Sequence, residues 1–145
     1  MDIPECLDLK IPTDDRGYFV PITNVLKEDF RKEIKRVYFV GNFDKGVVRG
    51  FHYHQKEIKV FFIAKGSAKF VAINKENPQE KHIFTTSDKH PQVVIIPPGY
   101  ANGWMSLEPG TLLICVSNAT FEESVNDDIR LDPYSWGDVW TVKGR

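Results

Sequence analysis

Residues 47–66 read VVRGFHYHQKEIKVFFIAKG: two histidines one residue apart, a cluster of charged side chains, and an apolar run closed by glycine. On an extended chain successive side chains point to opposite sides, so His52 and His54 project to one face and can both look into the mouth of a barrel. Outward from this stretch, short β-rich runs alternate with turn residues. RVYFVGN, KVFFIAKG, AKFVAINKENP, KHIFTTSD, QVVIIPPG and TLLICVSN are each bounded by Gly, Asn, Pro or Asp. That spacing predicts an all-β protein, an antiparallel barrel or double-sheet sandwich. One short helix is expected over TNVLKEDFRKEI, where Thr23 or Asn24 caps and Leu26, Phe30 and Ile34 share a face. There is no internal repeat, and the Asp-, Pro- and Trp-richer tail after Asn126 is expected to fold back on the barrel.

Composition bounds the function. The chain of 145 residues, 41% hydrophobic with 12% aromatic residues, is read as a single domain over 1–145 with one filled core. Nineteen Lys and Arg against twenty Asp and Glu leave a net charge of -1, with no basic block to track a phosphate backbone, so nucleic acid is not an expected partner. The longest apolar runs are far short of a membrane span and the first ten residues are too acidic for a signal peptide, which points to a cytoplasmic protein without a membrane partner. Of the two cysteines, Cys115 within TLLICVS reads as a small buried hydrophobe, and no disulfide framework is implied.

The opening stretch resembles the first motif of the cupin superfamily: Gly46, His52, His54 and Gly66 match its glycines and its His-x-His. The resemblance implies a cupin fold, a double-stranded β-helix or jelly-roll barrel. Lys59 occupies the position of the motif's metal-binding glutamate, and Glu57 comes too early for it. In PPGYANGW, Pro97 and Gly99 match the second motif, but Asn102 stands where its last metal-binding histidine belongs. An ammonium group donates hydrogen bonds and accepts none, so Lys59 opposes a divalent ion, and neither a metal nor another cofactor is expected.

Within the superfamily, DDRGYFVPI, VVRGFHYH, Lys59 and IIPPGYANGW are similar to segments of the dTDP-4-dehydrorhamnose 3,5-epimerases, and the tail DDIRLDPYSWGDVW more loosely so. IKRVYFV followed by RGFHYH also resembles the shorter dTDP-sugar 3,4-ketoisomerases, in which both histidines of the His-x-His are implicated. Either resemblance implies a nucleotide-diphosphate-sugar substrate and a role in deoxysugar or polysaccharide biosynthesis. The hydrogens beside the C4 ketone of such a sugar are acidic, and removing one places negative charge on the C4 oxygen, which calls for a base and a cation. His52 titrates near neutrality and suits the base, Lys59 supplies the cation, and the resemblance assigns the matching residues those roles. His54 is the candidate second proton carrier of a ketoisomerase. Arg16 and Arg49 match arginines associated with the diphosphate, which the planar guanidinium binds in a bidentate manner. Phe19, Tyr18, Trp136 and Trp140 can stack on a base but are read first as core.

Two features depart from the epimerase pattern. Without gaps, Ile114 falls where the epimerases carry a tyrosine acid, leaving Tyr100, Tyr53 or Tyr134 as donors from another wall, and Asn102 alters the pocket further. The aspartate that partners the catalytic histidine lies, in that family, in a C-terminal extension for which this sequence shows no counterpart. An epimerase is placed slightly ahead of a ketoisomerase, with a non-catalytic sugar-nucleotide-binding module as the third reading. Open sheet edges and the extended segment CLDLKIPTDDRGYF, which can cross to a second copy, predict a homodimer.

Overall fold

The computed structural model of the chain describes residues 2–145. Its strands are β1 (Glu5–Asp8), β2 (Thr13–Asp14), β3 (Gly17–Tyr18), β4 (Arg36–Asn42), β5 (Val48–Tyr53), β6 (Lys59–Lys65), β7 (Ser67–Asn74), β8 (Lys81–Ser87), β9 (Gln92–Ile96), β10 (Tyr100–Ser106), β11 (Thr111–Ser117) and β12 (Ile129–Arg130). Two helices, α1 (Glu28–Lys32) and α2 (Phe121–Asp127), complete it. Two five-stranded antiparallel sheets, ordered β1-β9-β6-β11-β4 and β12-β5-β10-β7-β8, face each other, and β2 and β3 form a separate hairpin. This is the jelly-roll barrel expected from the motifs.

The central strands of both sheets are covered on both faces, which explains why runs such as KVFFI and VVII are continuously apolar rather than alternating. Between the sheets lie Phe61, Phe70, Val94, Trp104, Leu113 and Cys115. On the outer face of the first sheet, Val60, Phe62, Val93, Ile95 and Val116 pack under Leu9, Leu26 and Phe30. On the outer face of the second, Phe51, Val71, Ile73, Ala101 and Met105 pack under Trp140, with Trp136 edge-on to Phe51. The tail therefore does fold back, and its tryptophans are core.

The helical segment is shorter than its periodicity predicts. The amide of Leu26 donates to the carbonyl of Thr23 in a separate turn, and helix begins only after Lys27, which makes no side-chain cap. Leu26 and Phe30 are nonetheless buried in the same cluster. The second helix was not expected. It begins at Thr120, whose hydroxyl accepts from the Glu123 amide while the Glu123 carboxylate accepts from the Thr120 amide, a complete capping box.

Candidate active site

The pairing of β5 with β10 sets the site. Asn102 lies opposite His52 and Trp104 opposite Arg49, so β5 carries one residue more than β10 between the two pairs. This bulge lets Arg49 and His52, an odd number of positions apart, both face inward, while Phe51 between them points out to the tryptophans. The bulge depends on glycine in each strand. A Cβ on Gly50 falls 2.7 Å from the Cα of Gly103, and one on Gly103 falls 2.8 Å from the Arg49 carbonyl oxygen.

Inside the barrel mouth is a cavity of about 490 Å³ whose wall includes Tyr38, Arg49, His52, Lys59, Asn102 and Arg130. Phe61, Trp104 and Leu113 form its apolar floor. His52 comes from the second sheet, whereas Lys59 on β6 and Tyr38 on β4 come from the sheet that faces it.

Asp128, at the end of α2, organises the histidines. Its Oδ1 lies 3.3 Å from His52 Nδ1 and 3.1 Å from His54 Nε2, and Arg130 Nε donates to its Oδ2 at 3.1 Å. A carboxylate only accepts, so His52 Nδ1 carries the proton and Nε2 keeps the lone pair. Burial holds the His52 pKa below its ordinary value, against the opposing pull of Asp128 and with a further push from Lys59. Burial and then Lys59 take His54 down to about 4. For Asp128, burial acts upward, but Arg130 and the two histidines outweigh it and leave the carboxyl below its usual range. At neutral pH both imidazoles are neutral and the carboxylate between them is charged.

The predicted residues are thus partly brought together. His52, Lys59, Arg49 and Asn102 share the cavity wall. Arg49 is held there by Asn42, whose Oδ1 accepts from its Nε at 2.7 Å, and Asn102 donates to the His52 carbonyl at 3.2 Å. His54 does not reach the cavity: its side chain is 3% exposed and its ring lies behind Asp128, so it can contact a ligand only indirectly. The cause is its place just past β5, where the chain turns under α2 and strand alternation no longer holds.

Arg16 and Phe19 sit on the exposed β2–β3 hairpin and the residue after it, away from the cavity, with Arg16 paired to Asp14. Tyr18 is exposed beside them rather than core. Tyr100 is buried against the first core cluster, with burial and Glu80 raising its hydroxyl to about 12. Lys75 lies 4.4 Å over the Tyr53 ring, and Tyr134 is exposed, so none of the three tyrosines proposed as donors lines the cavity. Ile114 packs on the outer face of its sheet, and its neighbour Leu113 is the β11 residue in the cavity.

Three residues near the site escaped the sequence reading, Tyr38, Asp128 and Arg130, and Glu57 was considered there only as a metal ligand. Tyr38 had a signal, since Arg36, Tyr38 and Val40 alternate with Val37 and Phe39, but both sets are largely apolar and the inward one cannot be chosen from sequence. Burial and the neighbouring Cys115 raise the Tyr38 phenol, which keeps it protonated at neutral pH. Asp128 supplies the histidine partner thought to be missing. It does so without an extension, because α2 returns the chain across the barrel mouth.

Among known proteins, the family described as FdtA: WxcM-like, C-terminal matches residues 3–132. The chain belongs to this family. Over 144 residues it is 24% identical to the spore coat polysaccharide biosynthesis protein SpsL of Bacillus subtilis, covering 92% of this chain and 91% of that protein. The structure of QdtA, a sugar 3,4-ketoisomerase from Thermoanaerobacterium thermosaccharolyticum in complex with TDP, is similar with a TM-score of 0.73 and 26% identity, over 90% of each chain. The dTDP-4-dehydrorhamnose 3,5-epimerase of Bacillus anthracis with TDP and PPi bound shares the fold at a TM-score of 0.80 and 19% identity, over 97% of this chain and 86% of that one. No helix among the described residues is long and apolar enough to cross a membrane.

Proposed function

We propose that this member of the FdtA family is a nucleotide-sugar isomerase that removes a proton beside the ketone of a nucleotide-linked 4-keto-6-deoxysugar. The observation that carries the reading is the His52–Asp128 pair facing Lys59 and Tyr38 across one cavity. His52 Nε2 takes the hydrogen from C3, and Asp128 stabilises the imidazolium that forms. The charge that develops on the C4 oxygen meets the Lys59 ammonium in a partly water-excluded site. Tyr38, on the facing wall, is placed to hand a proton on. Arg49, fixed by Asn42 and with guanidinium donors to spare, receives the diphosphate. The naming of SpsL supports a place in polysaccharide biosynthesis.

Of the two isomerase chemistries, the 3,4-ketoisomerase now stands first, reversing the order drawn from sequence. β11 turns Leu113 rather than a hydroxyl to the cavity, and the ketoisomerase QdtA matches 90% of this chain at 26% identity, against 19% for the epimerase. His52 then takes the proton from C3, exchanges it with solvent and delivers one to C4, while the hydroxyl proton moves from O3 to O4, leaving a 3-ketone. A 3-epimerase, with Tyr38 delivering a proton to the opposite face of C3, is the second reading, favoured by the cation at position 59. Proton NMR of TDP-4-keto-6-deoxyglucose with the protein in deuterium oxide separates them. A 3-keto product with deuterium at C4 is expected. Deuterium at C3 with C4 still a ketone establishes the epimerase, and no exchange in a panel of such sugars establishes a binding module.

The reaction is proposed to need no metal. Lys59 puts a cation against the histidine wall, and the Asn102 amide is engaged by the His52 and Tyr100 carbonyls. Elemental analysis is expected to find no stoichiometric iron, zinc or manganese, and chelation to leave the exchange rate unchanged. A bound metal lost together with activity contradicts this.

A further inference from the structure

We infer that Glu57 is a positioning residue of this site, a carboxylate sealed beneath the cavity wall that fixes the Lys59 ammonium where the C4 oxygen is received; the role of Lys59 rests on the enolisation reading above. The Glu57 side chain is 0% exposed. Its Oε1 accepts from Arg36 Nη2 at 3.0 Å and from the Ser117 hydroxyl at 2.9 Å, and its Oε2 accepts from the Ser124 hydroxyl at 2.8 Å. Its own amide donates to Asp127 at 3.0 Å. These partners come from β4, β11 and α2, so the carboxylate cannot move without moving the walls of the site.

Beyond those bonds, Oε2 faces two further groups, Lys59 Nζ at 4.0 Å and His54 Nε2 at 3.6 Å. Neither is a good hydrogen bond, and His54 Nε2 is aligned with no acceptor at all. What reaches Lys59 is therefore chiefly the field of a fixed charge. That matters because lysine carries a point charge on a flexible stem, and a cation that is to meet a developing oxyanion must already be in place. Burying a carboxylate costs several kcal/mol unless it is fully partnered, and Arg36 with two serines would satisfy that requirement without Lys59. The feature that a purely structural role leaves unexplained is the second cation, which lines the cavity two positions along the chain.

With Glu57 counted, three carboxylates around the site, Glu57, Asp127 and Asp128, stand against four cations, Arg36, Arg49, Lys59 and Arg130. Both histidines are neutral in that arrangement, consistent with the downward shifts of His52 and His54.

The test is a double-mutant cycle on Glu57→Gln and Lys59→Met, read by deuterium exchange into the 4-keto sugar nucleotide. Glu57→Gln preserves size and the serine contacts. It is expected to lower kcat roughly 10- to 100-fold with KM and the Kd for TDP within about twofold of wild type. Added to Lys59→Met it is expected to lower the rate no further, and Glu57→Asp, which restores the charge, to recover part of the loss. Multiplicative losses in the cycle overturn the proposal, as does wild-type kcat in a folded Glu57→Gln protein.

A second readout needs no turnover. In nitrogen-15 correlation spectra of the free protein, the Lys59 ammonium is expected as a protected signal in wild type and Glu57→Asp. In Glu57→Gln it is expected to broaden away. A Lys59 signal unchanged in Glu57→Gln refutes the positioning role. Spectra that behave as expected in a protein that turns over no sugar nucleotide leave Glu57 as the anchor of Lys59 and remove the isomerase reading alone.

Discussion

The central residue is His52, and its chemistry follows from being half-buried beside a carboxylate. A lowered pKa means that the imidazole stays neutral, and able to accept a proton, at pH values where an ordinary histidine is already charged. The pH profile of kcat/KM is therefore expected to rise through a midpoint below the ordinary value of about 6.5 and to be flat by neutrality. Asp128 opposes that shift, so Asp128→Asn should move the rising limb to still lower pH while reducing kcat, because the ring loses both its orientation and its counter-charge. His52→Asn, similar in size but not basic, should cut exchange by about 10² to 10⁴ and leave TDP binding intact. Wild-type exchange in His52→Asn would place the base elsewhere. At this scale the sequence was informative where a motif named the position, as at His52, Lys59, Arg49 and Asn102. It was silent where the partner came from afar: Asp128 is 76 positions from His52, and nothing in DDIR announces that contact.

At the scale of elements, the decisive piece is α2. It spans seven residues, too few for an apolar period to register, and its exposed Phe121 and Val125 look outward rather than defining a buried stripe. The legible signal was Thr120-x-x-Glu123, which states only that a helix can begin there. β10 was overlooked for a related reason: the Asn and Gly of YANGWMS read as turn residues, but they serve the close contact with β5. α2 is latched to the barrel by Asp127, whose carboxylate accepts from the amides of Gln55, Lys56 and Glu57. Burial pushes that carboxyl up, and the three amides more than offset it. Thr120→Ala should cost about 1 kcal/mol and lower Tm by roughly 2–6 °C. Asp127→Ala leaves three donors without their acceptor and should cost about 2 kcal/mol or more. It should also slow exchange although Asp127 does not line the cavity, because Asp128 shifts with the helix end. Thermal unfolding and exchange rates on the two variants check this, and an Asp127→Ala protein with the Tm and rate of wild type would show that the latch carries no load.

For the whole molecule, the expectation of a homodimer can be placed on particular surfaces. β1 pairs with β9 of its own chain, so that part of the N-terminal segment is not free to cross over. Of the edge strands among the described residues, β4 carries exposed apolar side chains, with Val37 63% and Phe39 74% exposed on one face and Phe43 fully exposed just beyond. The β2–β3 hairpin adds exposed Tyr18 and Phe19. An edge strand with an apolar outer face is a template for association, and burying two phenylalanines per copy is a substantial hydrophobic gain. We propose that two copies associate through β4. Two chains of 16.7 kDa make 33.4 kDa, which is the mass expected by sedimentation at micromolar concentration. Phe39→Lys, on the face of β4 turned away from Tyr38 and the cavity, should shift the protein toward 16.7 kDa without changing its far-ultraviolet spectrum. A hairpin so exposed can present Arg16 and Phe19 to a cavity only in another copy. If it does so here, Phe39→Lys should weaken TDP binding together with dimerisation, and Arg16→Ala should weaken binding while leaving the mass unchanged. A wild-type protein sedimenting only as the monomer would rule out both the dimer and a contribution of the hairpin to the site.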